Sequence, residues 1–335
     1  MQQYCETIPN GTPKYTPLNG AGLNFLNTEK SLIICADDFA LSAPVSEAIT
    51  QLAGAGRISA TSVMSLSPYW RGHAEALRVH SSRVDVGLHL DLTSEFARTE
   101  GYGESLNQVL LKSFTTGYPD GLLDAVIESQ LDKFEAVWGA PPDHIDGHQH
   151  IHQFPGIRSR LVRILLNRYA DKKMRPWLRV SKVRPNDFKS NVISLTGAER
   201  LRALLEASSF NFSPVLLGVY GFNQTQIQYR AGFKQWLSVA AKLDLARLWE
   251  TAKPHEVGAN EEQEQQEGQS SKLKGSILLP PSVMCHPSTL ALEGDPIGRA
   301  RSAEFAYLSS KDFENDLAQS TLTLVRASSF IQKNK

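Results

Sequence analysis

Cysteine is scarce in this chain: Cys5, Cys35 and Cys285 are the only three in 335 residues. Such thin, wide spacing excludes a disulfide framework and suits a reducing compartment, so a cytoplasmic location is expected. An excess of charge of either sign is also missing. With 35 basic and 35 acidic residues the formal net charge is zero, and no basic block interrupts the chain. The electrostatic footprint of a nucleic-acid binder is therefore absent, and a small neutral or mixed-charge ligand fits better. No run approaches the ~18 apolar residues that span a bilayer. The opening MQQYCETIPNGTPKYTPLNGAG also lacks a basic segment followed by an apolar one, so neither a membrane helix nor a signal peptide is expected. No segment repeats at a fixed period.

What is present is a 41% hydrophobic content, enough to bury one large core. Residues 1–28 are rich in Pro, Gly, Asn and Thr and read as a loosely ordered extension. A rhythm of short apolar strands and amphipathic helices follows. SLIICA precedes APVSEAITQLAGAG, SATSVMSL precedes YWRGHAEALRVH, and VDVGLHLDL places Val84, Val86, Leu88, Leu90 and Leu92 on one face. DGLLDAVIESQLDKFEAVWG predicts a helix before the strand-like HIDGHQ, and PGIRSRLVRILLNRYA opens another with Pro155 in its first turn. WLRVSKV, GAERLRALLEASS, SPVLLGVYG, YRAGFKQWLSVAAKL, SILLPPSVMCH and AEFAYLSSKDFENDLAQS continue the alternation. About seven strands alternating with helices imply a parallel sheet, closed as a barrel or open and doubly wound. A single domain over 29–330 is expected. It is broken at about 255–275 by HEVGANEEQEQQEGQSSKLKG, which has too few large apolar residues to offset its ordering entropy.

The charged residues fall at strand ends. Asp37 and Asp38 close the first strand, at the edge where parallel α/β folds bind ligands. One of them can cap the next helix, but two adjacent carboxylates repel unless a cation compensates. His89 lies on the face of its strand opposite the apolar side chains, with Asp85, Gly87 and Asp91. HIDGHQHIHQ then brings His144, His148, His150, His152 and Asp146 to another strand end, with His148 and His150 on one side by a period of two. Asp38, His89 and either His148 or His150 make a set of three ligands with positions left open, as a catalytic metal requires. Zinc and other divalent metals suit two imidazoles and a carboxylate. The neighbouring Asp37 is free to take a proton from a water whose pKa the metal lowers towards ~7. Cys285 and His286 in VMCHPS end a further strand. Cys285 reads as a small buried thiol, with a catalytic cysteine as the sharper alternative.

Four motifs in this order, IICADDFALS, GLHLDLT, HIDGHQHIHQFP and VMCHPS, with the trailing RARSAEFAYLSS, resemble the YdjC-like carbohydrate deacetylases. That family includes chitooligosaccharide deacetylases and relatives associated with hopanoid biosynthesis. The resemblance covers roughly residues 30–325 and implies a distorted (β/α) TIM-like barrel that removes acetyl groups from N-acetylated amino sugars. It implies one divalent metal ion, zinc or magnesium, held by Asp38, His89 and His148, with Asp37 as general base and His286 as the acid protonating the leaving amine. His150, Asp146 and Asp91 would line the site or orient its ligands. Ala40 and Asp91 stand where the family commonly has Gly and Asn. The expected partner is a small carbohydrate, with no nucleic acid and no integral membrane segment, and a homodimer is compatible with the reading. Two competitors remain. A metal phosphoesterase would use a clamp such as Arg179 and Arg184, and a non-catalytic metal- or sugar-binding relative would carry a damaged base or acid.

Overall fold

The computed structural model describes residues 30–182, 196–244 and 277–333. The expected extension at 1–28, Arg184 and the interruption at 255–275 lie outside the described residues. In chain order the elements are β1 (Ser31–Phe39), α1 (Ala43–Gly54), β2 (Ala60–Val63), α2 (Trp70–Arg78), β3 (Asp85–Leu90), α3 (Glu95–Thr99), α4 (Leu106–Phe114), α5 (Leu122–Trp138), β4 (His144–Gly147), a 3-10 segment (His148–Gln153), α6 (Ile157–Arg168) and β5 (Trp177–Arg179). After these come α7 (Ala198–Ala207), β6 (Phe212–Ser213), β7 (Leu216–Leu217), α8 (Gln226–Ala241), β8 (Ser282–Cys285), α9 (Gly298–Leu308), α10 (Lys311–Gln319), β9 (Thr323–Leu324) and α11 (Ala327–Lys333). All strand pairs are parallel. They run β6-β5-β4-β3-β2-β1-β8-β7, with β9 added beside β1. The two ends of this path, β6 and β7, are neighbours in sequence, and the Leu216 amide donates to the Lys182 carbonyl just beyond β5. The sheet therefore curls into a nearly closed, TIM-like α/β barrel.

Burial explains why the strands read as apolar runs. In β1, Leu32, Ile34 and Ala36 pack outward into the main core under the helices, while Ile33 and Cys35 join Ala60, Trp177, Leu279, Ala327 and Ile331 in a separate inner cluster. A strand covered on both sides has no solvated face to mark with polar residues. β3 keeps the expected alternation: Val86, Leu88 and Leu90 enter the main core, and Asp85, Gly87 and His89 turn the other way. Gly87 is required there, because a Cβ would lie 2.4 Å from the His144 ring, which stacks on Trp177 at 4.5 Å.

The structure departs from the sequence reading where proline or compact helices intervene. SPVLLGVYG is not one strand. β6 stops at Ser213 and β7 starts at Leu216, because Pro214 has no N–H to donate. Pro280 and Pro281 likewise confine β8 to Ser282–Cys285, leaving Leu278 as a single bridge to Phe212. The stretch 95–114 carries two short helices, α3 and α4, capped by the Ser94 and Ser105 hydroxyls.

α11 follows β9 at the edge where the strands begin. Asp85, fully buried, accepts hydrogen bonds from Trp177 Nε1 (3.1 Å), Arg326 Nε (2.6 Å), the Ser328 amide (2.9 Å) and the Ser328 hydroxyl. Replacing Asp85 with Ala strands these donors in the interior. We expect a loss of about 3–5 kcal/mol in urea unfolding, with the constellation at the other end of the barrel left in place.

Candidate metal centre

Two adjacent carboxylates reach one pocket because β1 breaks its alternation. The β1–β2 register shifts between Ala36 and Phe39, and Asp38 adopts a left-handed φ of 69°. Both side chains consequently turn inward. Ala40, where the resemblance has glycine, also sits at a φ of 72°, the conformation that favours Gly.

Asp38 divides its two oxygens between different neighbours. Oδ2 accepts from Arg301 Nη2 at 2.7 Å. Oδ1 lies 3.3 Å from His89 Nε2 and 3.3 Å from His148 Nδ1, yet has no hydrogen-bond partner among the described residues. His89 Nδ1 faces Asp146 Oδ1 at 2.6 Å. With Nδ1–H donating to Asp146, the Nε2 of a neutral His89 and Asp38 Oδ1 are two acceptors facing one space, which is filled either by a proton on Nε2 or by a metal cation in its place. Burial lowers the His89 pKa, but the charge and hydrogen bond of Asp146, with the nearby Asp38 carboxylate, outweigh it and push it up to about 10, so that a bound cation would displace a proton from this ring. Burial raises that of Asp38, and Arg301, His148 and His89 hold it well below the usual carboxylate range. A divalent metal fits this donor set: the three ligand atoms lie within 4.8 Å of one another, and three protein donors are one fewer than a closed tetrahedral site would have.

Beside it, Arg179 from β5 donates through Nη1 and Nη2 to Asp37 Oδ1 (2.8 Å) and Oδ2 (2.7 Å), and Nη2 also lies 2.9 Å from Asp146 Oδ2. Ser62 adds a bond to Asp37 Oδ1 at 3.3 Å. Burial pushes the Asp37 pKa up, and the Arg179 charge and hydrogen bonds bring it below the ordinary value. Two other groups, Asp37 with His89 and Asp146, and Cys35 with His144 and Asp146, are also compact. Both contain Asp146, whose Oδ1 already faces His89 Nδ1 at 2.6 Å and whose Oδ2 lies 2.9 Å from Arg179 Nη2, whereas Asp38 keeps Oδ1 for a cation, so the Asp38 group is the better site.

The remaining histidines part company. β4 ends at Gly147, and Gln149 and His150 both take left-handed φ values, so the period of two does not carry past His148. His148 faces Asp38, whereas His150 Nδ1 lies 3.0 Å from the Ser181 hydroxyl. His152 Nε2 donates to the Arg179 carbonyl at 2.8 Å, and His144 sits deeper, 3.7 Å from Cys35 Sγ. Asp91 accepts from the Thr93 and Ser94 amides and the Ser94 hydroxyl, so its carboxylate closes its own loop. Cys285 is buried, with its thiol pKa raised mainly by burial, as befits an inert thiol.

His286 Nε2 stands 3.9 Å from Asp37 Oδ2, and its ring meets Phe222 edge-on at 5.3 Å. Burial lowers its pKa; Asp38 and Asp37 oppose this, Arg301 and His89 add to it, and it falls to about 4. His286 is therefore held in its neutral form near pH 7 and must gain a proton before it can act as the acid that the resemblance implies. Sequence reasoning missed two of its neighbours on α9, Arg301 and Glu304. They stand three apart and so share a face of α9, which the structure buries. Glu304 accepts from the His286 amide (2.5 Å) and the Tyr220 hydroxyl (2.5 Å). Burial raises its pKa to about 7, against those bonds and Arg301. The folded state thus holds this proton more tightly than the unfolded chain. Stability from that proton is present at low pH and is lost as pH rises from ~4.3 to about 7. Between about pH 5 and about pH 8, urea unfolding should show Glu304→Gln losing about 2–3 kcal/mol less than the unsubstituted protein.

The comparisons with known proteins agree with this architecture. Over 138 residues the chain is 34% identical to proteins named chitooligosaccharide deacetylase from Yersinia pestis (strain Pestoides F) and Yersinia pseudotuberculosis serotype O:1b; each match covers 38% of this chain and 53% of the relative. The chain thus spans about half the length of the curated relatives it matches. A crystal structure from Enterococcus faecalis V583, bearing the name of a cellobiose-phosphate cleavage protein, superposes with a TM-score of 0.57 at 18% identity, covering 90% of this chain and 98% of the other. That likeness establishes the fold. The model of the family described as YdjC-like protein matches residues 31–319, and the chain belongs to that family.

Proposed function

We propose that this chain is a divalent-metal-dependent hydrolase that removes an acetyl group from an N-acetylated amino sugar, as in a chito-oligosaccharide or a related glycolipid. The observation that carries the reading is the trio of Asp38 Oδ1, His89 Nε2 and His148 Nδ1, with Asp37 and His286 beside it. The names of the curated relatives support the substrate class. Two imidazoles in the donor set favour zinc over magnesium, which prefers oxygen ligands. A cation bound there supplies Lewis acidity towards the acetyl carbonyl and lowers the pKa of a water. Buried free thiols at Cys35 and Cys285 support a reducing compartment such as the cytoplasm; among the described residues no helix is long and apolar enough to cross a membrane.

The chain's own groups divide the proton work. Asp37, held flat by Arg179, accepts the proton of the attacking water. His286 starts neutral, and its Nε2, 3.9 Å from Asp37 Oδ2, closes to hydrogen-bond distance in the substrate complex to collect that proton and hand it to the leaving amine as the C–N bond breaks. A phosphoesterase is less well supported, because the terminal nitrogens of Arg179 are spent on Asp37 and Asp146.

Three substitutions test this division. His89→Ala should lose stoichiometric metal and activity together, read by elemental analysis and acetate release; full metal occupancy would refute the ligand assignment. Asp37→Asn should keep the metal while kcat falls ~10²-fold or more, and a loss of metal instead would mean that the two aspartates have exchanged roles. His286→Ala should depress amide cleavage far more than cleavage of an activated acetyl ester, whose leaving group needs little protonation. Equal losses on the two substrates would remove His286 from the acid role.

A further inference from the structure

We propose that Arg301 is a positioning residue that makes Asp38 a one-oxygen ligand, by occupying Oδ2 so that only Oδ1 faces the cation site. This rests on the metal reading above and goes beyond it, since that reading gives Arg301 no role.

The geometry is specific. Arg301 is 3% exposed, and its Nη2 reaches Asp38 Oδ2 at 2.7 Å while its Nε is held by Asp295 Oδ2 at 2.5 Å. Asp295 is itself fixed, because its Oδ1 accepts from the Ile297 amide and its carbonyl from the Gly298 amide at the start of α9. The helix is anchored at two more points. Glu304, one turn on, grips the His286 amide and Tyr220, and Tyr307 packs against Phe233 (5.3 Å) and Phe313 (5.8 Å). Arg301 thus reaches Asp38 from a rigid base. A carboxylate free on both oxygens can chelate a divalent cation and fill a position that substrate needs. Pinned on one oxygen by a guanidinium, it offers a single donor of reduced basicity, which leaves the open side free and more of the cation's charge available.

This separates Arg301 from a residue that merely balances charge. Cobalt(II), whose visible absorption reports coordination number, is the probe, titrated into the metal-stripped full chain and into Arg301→Gln, Arg301→Lys and Asp295→Asn. The expected result is that Arg301→Gln still binds Co²⁺ at least as tightly as the unsubstituted protein. Its visible absorptivity should fall by roughly twofold or more as a second oxygen joins the ion, and kcat should fall while KM stays near its starting value. Arg301→Lys, which keeps a cationic donor, should restore much of the original spectrum. Asp295→Asn, which leaves Arg301 in place but loosens it, should shift the spectrum in the same direction as Arg301→Gln, and it decides the question if Arg301→Gln does not fold. An unchanged spectrum in both Arg301→Gln and Asp295→Asn, in a protein that binds one Co²⁺, overturns the role of Arg301 and leaves the metal reading standing. If the unsubstituted chain binds no Co²⁺, both fall.

Discussion

The contact on which the rest of the site depends is the buried Arg179 guanidinium between Asp37 and Asp146. Two carboxylates in a dry barrel interior would repel each other and recover protons; a cation between them keeps both ionised. Each then has a further task. Asp146 faces His89 Nδ1 and so sets which nitrogen of that ring is presented to Asp38, and Asp37 keeps its oxygens towards His286. Removing one partner from such a buried pair typically costs 3–5 kcal/mol, about half the stability of an ordinary domain. The ion pair also joins β1, β4 and β5, so the same contact that orders the chemistry ties together three staves of the barrel.

Around it, regular geometry gives way wherever a side chain must be turned. Asp38, Ala40, Gln149 and His150 all occupy left-handed backbone conformations, each of which costs about 1–3 kcal/mol for a residue with a side chain. Local bonds offset the strain. The Leu41 amide donates to the Asp38 carbonyl, the Ala40 amide to the Ser46 hydroxyl, and the Ser67 hydroxyl to the Ala40 carbonyl. The irregularity is concentrated where strands end, which is where the fold can absorb it without losing ladder hydrogen bonds.

Much of this was legible in the sequence because burial enforces periodicity. The alternation in VDVGLHLDL told which way His89 faces, and paired aspartates after an apolar run marked the ligand-binding edge. What stayed hidden depends on contacts between distant residues or on backbone that leaves the regular regions. His148 could not be separated from His150 by a period of two, since Gln149 and His150 are left-handed. Arg179 entered the sequence reading only as a clamp for the competing phosphoesterase, because its partners Asp37 and Asp146 are remote in sequence. Arg301 and Glu304 sit in a helix whose charges look like a solvated face, and only the packing of α9 shows that they point inward. The splitting of SPVLLGVYG and SILLPPSVMCH at their prolines was readable from the missing N–H groups, yet the apolar runs around them masked it.

The pairing of β1 has a consequence for how the molecule is made. β1 is hydrogen-bonded to β2, but its other edge takes β8, and β9 adds beside it from further along still; Arg326, which seals Asp85, lies 241 residues beyond it. During synthesis the first strand therefore waits with an unpaired edge until nearly all the described chain has left the ribosome. Nascent β1 is an apolar segment with exposed amides, the kind of surface on which chaperones act and from which aggregation starts. Closure of the barrel, with its high contact order, is on this account a late and slow event, and Asp38 keeps both oxygens free until then, because Arg301 arrives on the same late segment.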